Sequence, residues 1–176
     1  MRLRPMTLAD ADQVLAWRNR PEIANNMFDN RPIAHADHVR WTQRMLESPA
    51  HQYWIIEHDG RDIGVVNLAE IDIANSRCSW GFYIADPAAR GPVGVAVELR
   101  VLEIVFGELG LEKLCSRVFA WNERTIALHE RIGFVREGTL RSDVRRNDGV
   151  HDVVLLSMLR PEWEARYGHR VREHAS

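Results

Sequence analysis

The sequence predicts one α+β domain in which a mixed β-sheet is flanked by helices. The first observation is the order of the segments: helices, a meander of three strands, then a helix, a strand, a helix and a closing hairpin. The second is length, because 176 residues suffice for one core and are too few for two. No repeat or linker-like stretch divides the chain before its end. We assign residues 1–160 to the domain and residues 161–176 to a charged, irregular tail.

Capping and turn signals delimit the elements of the first half. Thr7 followed by Asp10 has the form of a capping box that opens a helix, and Asp59-Gly60 is a hairpin turn. The predicted elements are a strand at Leu3–Pro5, a helix after Thr7, a short helix or packed loop after Pro21, a helix at Ala36–Leu46, and strands at Tyr53–Glu57, Asp62–Leu68 and Arg77–Ile84.

The second half carries the clearest helix signal. Apolar residues recur at three- and four-residue steps from Val95 to Leu109, and Gly110 follows as a stop. Asn122 is a typical N-cap for a helix that ends at Ile132. The remaining predicted strands are Lys113–Ala120, Phe134–Arg145 and Val150–Met158, the last two joined by the turn Asn147-Asp148-Gly149.

Composition and charge exclude several classes of protein. Lys and Arg total 23 against 25 acidic residues, so the net charge of −2 offers no field for nucleic acid or an anionic membrane. The chain begins without an apolar signal core, and no apolar run approaches the length that spans a bilayer. Cys78 and Cys115 have neither metal spacing nor a redox motif. We therefore expect a cytoplasmic protein with no metal, no nucleic-acid partner and no membrane partner.

A glycine-containing loop, Arg90-Gly91-Pro92-Val93-Gly94-Val95-Ala96, leads from a strand into the long helix. Gly91 and Gly94 let the backbone approach a ligand, and the helix start presents unpaired N–H groups to an anion. Arg90 adds a guanidinium suited to phosphate. The loop lacks the Lys-Ser/Thr of a Walker loop and the third glycine of a dinucleotide fingerprint. Taken alone, it predicts either a phosphate site or an ordinary Gly/Pro turn.

Longer stretches of the second half resemble the GNAT acetyltransferase superfamily. The resemblance lies in Asp86–Ala96 with the helix that follows, in Leu114–Phe134, and in the closing hairpin Glu137–Met158. The hairpin is most similar to the ribosomal-protein acetyltransferase branch. The resemblance implies an acetyl-CoA-dependent N-acetyltransferase with a GNAT fold, whose mostly antiparallel sheet contains two parallel strands that splay apart around acetyl-CoA.

The same resemblance assigns the donor site. The splayed strands would be Ser79–Ala85 and Leu114–Ala120. Pantetheine would pair with the backbone of Tyr83 and Ile84, and Asn122 would hydrogen-bond it from the other side. The pyrophosphate would be bound by the loop, through Arg90, Gly91, Val93, Gly94, Val95 and Ala96. Four positions separate Arg90 from Gly94, where the family pattern has three.

Short pieces of the first half resemble the aminosugar N-acetyltransferases of pseudaminic acid biosynthesis. Those enzymes acetylate the 4-amino group of a UDP-linked dideoxy sugar that supplies flagellin glycosylation. The similarity implies an apolar wall for the 6-deoxy methyl at Met27 and Phe28, and a diphosphate contact at Arg18. The residues assigned to the substrate are Trp17, Arg18, Asn19, Met27, Phe28, Trp41, Asp72 and Trp80. Each also has a plainer reading, since tryptophans on amphipathic helices commonly belong to the core.

Amide formation needs a neutral amine, a polarised thioester carbonyl and a proton for the thiolate. We expect a backbone N–H near Tyr83 to stabilise the oxyanion. His129 stands where the family often has the Tyr that protonates the thiolate, although it could instead face a solvated cleft wall. Ser79 stands where family members often carry a Glu that acts as the general base. A Ser-bound water could replace that Glu, as could a relay through Glu70, Asp72 or His35.

Two other functions remain open on the sequence. The second half fits acetylation of a protein N-terminus as well as it fits the sugar. A non-catalytic acyl-CoA-binding module would keep the loop and lose the chemistry, as the residues at Ser79 and His129 would allow. The edge of the final hairpin could also pair with a second copy, which makes a homodimer a further hypothesis.

Overall fold

The computed structural model describes the backbone of residues 1–173 and the side chains of residues 1–168. Most predicted boundaries agree with the structure to within a few residues. The helices are α1 (Ala11–Arg18), α2 (Pro21–Ala24), α3 (His35–Glu47), α4 (Pro92–Leu102), α5 (Glu123–Ile132) and α6 (Arg160–Glu173). The strands are β1 (Arg2–Pro5), β2 (Gln52–His58), β3 (Arg61–Asp72), β4 (Arg77–Ile84), β5 (Lys113–Phe119), β6 (Val135–Arg146) and β7 (Gly149–Leu159).

One mixed sheet organises the described residues, with seven strands in the order β1-β2-β3-β4-β5-β7-β6. Within that range β4 and β5 are the one parallel pair, and the other neighbours are antiparallel. The parallel pairing begins at Arg77–Lys113 and stops at Ser79–Cys115, although both strands continue. The two strands therefore diverge into a fork, which confirms the predicted α+β fold and its splayed strands.

The two faces of the sheet carry different clusters of buried side chains. Val66 and Ile84 belong to the larger cluster, which includes the apolar sides of α4 and α5. Their strand neighbours Val65 and Tyr83 belong to the smaller cluster, which includes Val14 and Trp17 of α1. Because side chains alternate across a strand, α4 and α5 cover one face and α1 covers the other. The fork consequently opens onto both faces.

The segment 161–173 corrects the predicted irregular tail, of which residues 174–176 lie outside the described range. It forms α6, and Trp163 is only 5% exposed in the larger core cluster. Its ring lies 5.6 Å from that of Phe106, and Tyr167 Oη donates to Ile132 O at 2.7 Å. Two aromatic residues one helical turn apart hold an otherwise charged segment against the domain. None of the described helices is long and apolar enough to cross a membrane.

The predicted helix Val95–Leu109 is interrupted. It begins earlier, at Pro92, and changes from α to π geometry over Glu103–Glu108. Gly110, with φ of +68°, ends it as the sequence predicts. The earlier start places the helix N-terminus directly at the predicted phosphate loop.

Candidate active site

The loop after β4 forms an N-terminal cradle at α4. Gly91 is the N-cap, and Pro92 occupies the first helical position, where a missing N–H is tolerated. The first N–H groups of an α-helix have no partner within the helix, so those of Gly91, Val93 and Gly94 are free to meet an anion, whereas the N–H of Val95 lies four positions after the N-cap and belongs to the first helical hydrogen bond. A Cβ on Gly91 would meet nothing within 4 Å. The cradle has the geometry of an anion site, and Pro92 is the one member that cannot donate.

The Arg90 side chain does not lie over the start of α4, where the sequence predicts a contact with phosphate. Its Nε donates to Ile84 O at 3.1 Å, so the guanidinium folds back onto the end of β4. Its Nη2 is buried and meets no hydrogen-bond acceptor among the described residues. The extra residue between Arg90 and Gly94 thus places this side chain at the mouth of the fork rather than over the helix start.

The backbone of β4 also revises one predicted donor. Ala85 N donates to Ile63 O of β3 at 2.7 Å. N–H groups alternate in direction along a strand, so that of Tyr83 also points to β3. Phe82 and Ile84 direct theirs into the fork. The N–H groups that face the fork are therefore those of Phe82 and Ile84, and not that of Tyr83.

A cavity of about 950 Å³ passes through the fork and connects the two faces of the sheet. It brings together many of the residues that the sequence assigned to the site. Those that line it are Arg18, Met27, Phe28, Trp41, Ser79, Trp80, Tyr83, Ile84, Arg90, Asn122 and His129.

Three predicted substrate residues lie outside the lining. Trp17 is buried in the smaller core cluster, as an apolar residue on the inner side of α1 should be. Asn19 Nδ2 donates to Ile33 O at 3.0 Å and so stabilises a loop. Asp72 accepts hydrogen bonds from Asn75 at 2.9 and 2.6 Å, which closes the turn before β4. All three have structural partners that explain their residue type.

Buried polar atoms without a partner among the described residues include one each on Arg18 and Tyr83, and His38 Nε2 of α3 is another in the cavity lining. Arg18 donates through Nη2 to Asp29 O at 2.5 Å, whereas its Nη1 finds no acceptor within the described chain. Burial lowers the pKa of this guanidinium. Tyr83 Oη is likewise unpaired among the described residues, and burial raises the pKa of its phenol above the ordinary value. Both residues belong to the cavity lining.

The loop that carries Met27 and Phe28 is held from the far side by the final hairpin. Arg146 Nη1 donates to Asn25 O at 2.7 Å and to Met27 O at 3.3 Å. The ring of Phe28 packs edge-on against Phe119 at 5.0 Å. Met27 and Phe28 therefore lie together in the cavity lining, and Arg146, 119 positions away from Met27 in the chain, holds their loop in place.

Asn122 caps α5 through its side-chain oxygen and leaves its amide nitrogen for other contacts. Its side-chain oxygen accepts from Thr125 N at 3.3 Å, which confirms the predicted cap. Its amide nitrogen points across the cavity to Asn26 Oδ1 at 3.5 Å, a long contact. The nitrogen can therefore serve a ligand while the oxygen caps α5.

Of the three acids and bases considered beside Ser79, Glu70 is the one in contact. Ser79 Oγ donates to Glu70 Oε2 at 2.6 Å, and both residues line the cavity. Glu70 has φ of +51° at an irregularity of β3, a conformation that side chains avoid unless the surroundings impose it. His35 instead pairs with Asp12 on the surface. A carboxylate thus reaches the site from β3 instead of from the family position on β4.

His129 is buried rather than exposed on a cleft wall. Its Nδ1 lies 3.0 Å from Glu98 Oε1 and its Nε2 lies 3.1 Å from Ser116 Oγ. Trp80 and Phe134 pack against the ring at 5.2 and 5.0 Å. The sequence reading missed Glu98 and Ser116. The signal that could have found them is that each is a polar residue at a position where α4 or β5 turns an apolar side inward.

Comparison with known proteins identifies the family. The model of the GNAT acetyltransferase domain matches residues 1–135. The chain is 30% identical over 150 residues to the prophage-derived uncharacterized N-acetyltransferase YokL of Bacillus subtilis, which covers 84% of each chain. It is 32% identical over 107 residues to the putative ribosomal N-acetyltransferase YdaF of the same bacterium, over 61% of this chain and 58% of YdaF. The chain belongs to the GNAT acetyltransferase family, and it is an N-acetyltransferase.

The fold has solved counterparts. The spermidine N-acetyltransferase of Vibrio cholerae, in complex with CoA and spermine, matches with a TM-score of 0.85 at 22% identity, over 92% of this chain and 96% of that one. At that identity the likeness concerns the fold. Among the described residues, no group of three or more His, Cys, Asp or Glu side chains is placed to hold a metal ion.

Proposed function

We propose that the chain transfers the acetyl group of acetyl-CoA to the 4-amino group of a UDP-linked aminosugar, as in pseudaminic acid biosynthesis for flagellin glycosylation. One observation carries this choice of acceptor: Arg18 Nη1 and Tyr83 Oη are unpaired, buried donors in the cavity lining, judged against the described residues. Unpaired buried donors are costly unless a ligand satisfies them. The diphosphate and uracil of a nucleotide sugar supply the acceptor oxygens that they need.

A polyamine is the second candidate, because the Vibrio cholerae relative was solved with spermine. Glu22 and Glu70 line the same cavity and favour a positively charged amine. Arg18, however, places a guanidinium there, and like charges repel strongly where water is excluded. A molecule with one amine and several oxygens satisfies both signs of charge, whereas a molecule with several ammonium groups does not.

An N-terminal peptide is the third candidate, and the similarity to YdaF supports it. A peptide also combines one amine with carbonyl oxygens that Arg18 and Tyr83 could bind. The peptide and the sugar differ in the group that would contact Met27 and Phe28, which form a short apolar wall beside these donors. That wall fits a 6-deoxy methyl group as well as a small side chain, so the assay below compares these acceptors directly.

Acetyl-CoA, the acyl donor, would bind along the fork between β4 and β5. The cradle of Gly91, Val93 and Gly94 would bind the pyrophosphate through backbone N–H groups and the positive end of the α4 dipole. The pantetheine would lie along the fork-facing edge of β4, with Asn122 opposite. An N–H of Phe82 or Ile84 would then face the thioester oxygen and stabilise the oxyanion as it forms. Attack would take place directly between the two bound substrates.

Proton transfer would be divided between the two faces of the sheet. Ser79 alternates with Cys78 and Trp80, which belong to the α4 side, so it faces the α1 side together with the acceptor groups. The Glu70–Ser79 pair would accept the proton that the amine loses. His129 lies on the opposite face, where the thiolate leaves. The amine and the thiolate therefore meet different groups, and neither proton has to cross the fork.

A thiol-release assay with acetyl-CoA tests the proposal. The UDP-4-amino sugar, spermidine and an N-terminal peptide are offered separately to the wild-type chain and to Arg18→Met. We expect turnover of the sugar, with KM raised roughly 10- to 100-fold in the variant through loss of a charge-assisted hydrogen bond worth about 1.5–3 kcal/mol. Arg100→Met, on the exposed side of α4, is the matched control and should leave KM unchanged.

Three outcomes would contradict the proposal. Turnover of the peptide or of spermidine, with none of the sugar, would assign the acceptor to that class instead. Equal KM values for wild type and Arg18→Met would remove the observation on which the acceptor rests. Binding of acetyl-CoA without transfer to any amine would favour a non-catalytic acyl-CoA-binding module.

A further inference from the structure

Three polar side chains form a buried chain behind the fork. Glu98 of α4 contacts His129 Nδ1 at 3.0 Å, and His129 Nε2 contacts Ser116 Oγ of β5 at 3.1 Å. Their exposed fractions are 0%, 2% and 4%. An imidazole held between a carboxylate and a hydroxyl has the connectivity through which protons move in serine hydrolases.

The occupation of both ring nitrogens limits what His129 can do. Nδ1 faces Glu98 and Nε2 faces Ser116, so neither nitrogen is free to meet a substrate atom. We propose that Ser116 is the catalytic residue that protonates the CoA thiolate, that His129 restores the proton of Ser116, and that Glu98 is a positioning residue for His129. The inference rests on the proposed acetyl-CoA site in the fork.

The position of Ser116 supports this role. The last paired residue of β5 is Cys115, opposite Ser79, so Ser116 is the first residue of β5 inside the fork. It alternates with Cys115 and shares a face with Leu114 and Val118, which belong to the α4 side. Ser116 and His129 both line the cavity. The hydroxyl is therefore at the vertex of the fork, on the face where the thiol leaves.

The proposed step is balanced in protons. As the bond from the acetyl carbon to sulfur breaks, its electron pair stays on sulfur, and the Ser116 hydroxyl proton passes to the thiolate. The proton on His129 Nε2 passes to Ser116 Oγ at the same time. His129 becomes neutral, Glu98 remains a carboxylate and free CoA leaves as the thiol. A proton from solvent recharges His129 after release.

The burial of Glu98 is the second reason for the assignment. A carboxylate that is removed from water is expensive unless it is paired. Glu98 Oε1 meets His129, but its Oε2 is buried without a hydrogen-bond partner among the described residues. The other groups packed on the His129 ring are the aromatic side chains of Trp80 and Phe134. Glu98 is thus the acidic side chain that contacts the ring, and in the proposed step its carboxylate stabilises the imidazolium.

Calorimetric binding of CoA and of desulfo-CoA tests the relay without any acceptor. The two ligands differ only at the sulfur, and the affinity ratio between them is measured from about pH 7 to about pH 10, across the usual thiol pKa of about 8.5. In the wild-type chain we expect the ratio to rise about tenfold with pH, because Ser116 donates a hydrogen bond to the thiolate. Ser116→Ala should lose this rise, and Ser116→Thr should restore it by keeping a hydroxyl.

Two further variants separate catalysis from packing. Ser157→Ala removes an equally buried hydroxyl from β7, outside the cavity lining, and should behave as wild type. Glu98→Gln should retain binding of desulfo-CoA and lose the alkaline rise with CoA. If the role of Glu98 is purely structural, Glu98→Gln should instead lower the melting temperature and leave the pH dependence of the CoA to desulfo-CoA affinity ratio unchanged.

Each result decides between readings. Equal ratios in wild type and Ser116→Ala at every pH would overturn the relay and leave the three side chains as core packing. Ser116→Ala that binds both ligands as wild type, in a chain that still acetylates the sugar, would do the same while sparing the proposed function. Failure of the wild-type chain to bind CoA at all would refute the donor site itself, and the relay with it.

Discussion

We expect Gly94→Ala to raise the stability of the chain and to weaken its affinity for acetyl-CoA. Gly94 lies in the first turn of α4, and a Cβ there would meet Leu128 Cδ2 at 3.6 Å, which is ordinary van der Waals contact. Alanine is favoured over glycine in helices by about 0.5–1 kcal/mol. In a chain of this size the gain corresponds to a rise of about 1–4 °C in melting temperature.

The same methyl group lies in the gap between α4 and α5. Leu128 lines the cavity, so the added carbon narrows the passage beside the N–H cradle. We expect the dissociation constant of acetyl-CoA to rise at least tenfold, which is about 1.4 kcal/mol. Melting curves without ligand and calorimetric titration with acetyl-CoA measure the two effects separately.

Gly107→Ala is the matched control for this prediction. Gly107 is also helical, and its Cβ would meet nothing closer than Trp163 at 3.9 Å, far from the loop. It should change stability alone. Wild-type acetyl-CoA affinity in Gly94→Ala would refute the placement of the pyrophosphate at the start of α4, and a fall in its melting temperature would refute the packing argument.

Three further expectations follow from the packing of the domain. Trp163→Ala should destabilise the chain by about 3–5 kcal/mol, because it empties a buried site between α6 and Phe106; a loss below about 1 kcal/mol in urea unfolding would show that α6 contributes little. Asp10→Asn should cost about 2 kcal/mol at neutral pH, since Arg4 holds the pKa of the Asp10 carboxyl below its ordinary range. Because the pKa of Asp10 is lower in the folded chain than in the unfolded one, its carboxylate stabilises the fold above the unfolded pKa of about 3.9, and this stabilisation is lost as the pH falls through the folded pKa. The difference in unfolding free energy between variant and wild type should therefore close in acid, and a constant difference would contradict this. Arg146→Ala should raise the KM of the acceptor more than that of acetyl-CoA, because the side chain holds the loop at Met27; equal changes in initial-rate measurements would argue against that role.

The elements with strong local signals could be predicted from the sequence. α5 begins after its Asn122 cap and ends at Gly133, and the closing strands flank the predicted turn, because caps and turns are decided by neighbouring residues. The fork itself followed from a resemblance, since strand divergence leaves no local signal. The prediction of an irregular tail was wrong because Trp163 and Tyr167 are held by partners far away in the chain.

The site could be predicted only where one residue type has one use. The cradle, Asn122 and the apolar residues Met27 and Phe28 are local features; Asn122, Met27 and Phe28 line one cavity, whereas the cradle lies at the start of α4, outside that lining. The partners of His129 could not be found in this way, because Glu98 lies 31 positions away and meets it only when α4 packs beside α5. Trp17 illustrates the reverse case, in which a plausible sugar platform is used as core.

The backbone amide spectrum during titration with acetyl-CoA tests the central assignment most directly. If the fork binds the donor with its pyrophosphate at α4, the amide resonances of Gly91, Val93, Gly94 and Val95 shift together and saturate at one dissociation constant, while that of Gly107, which lies beside Trp163, stays in place. Saturable binding that leaves these loop amides unshifted would contradict the account.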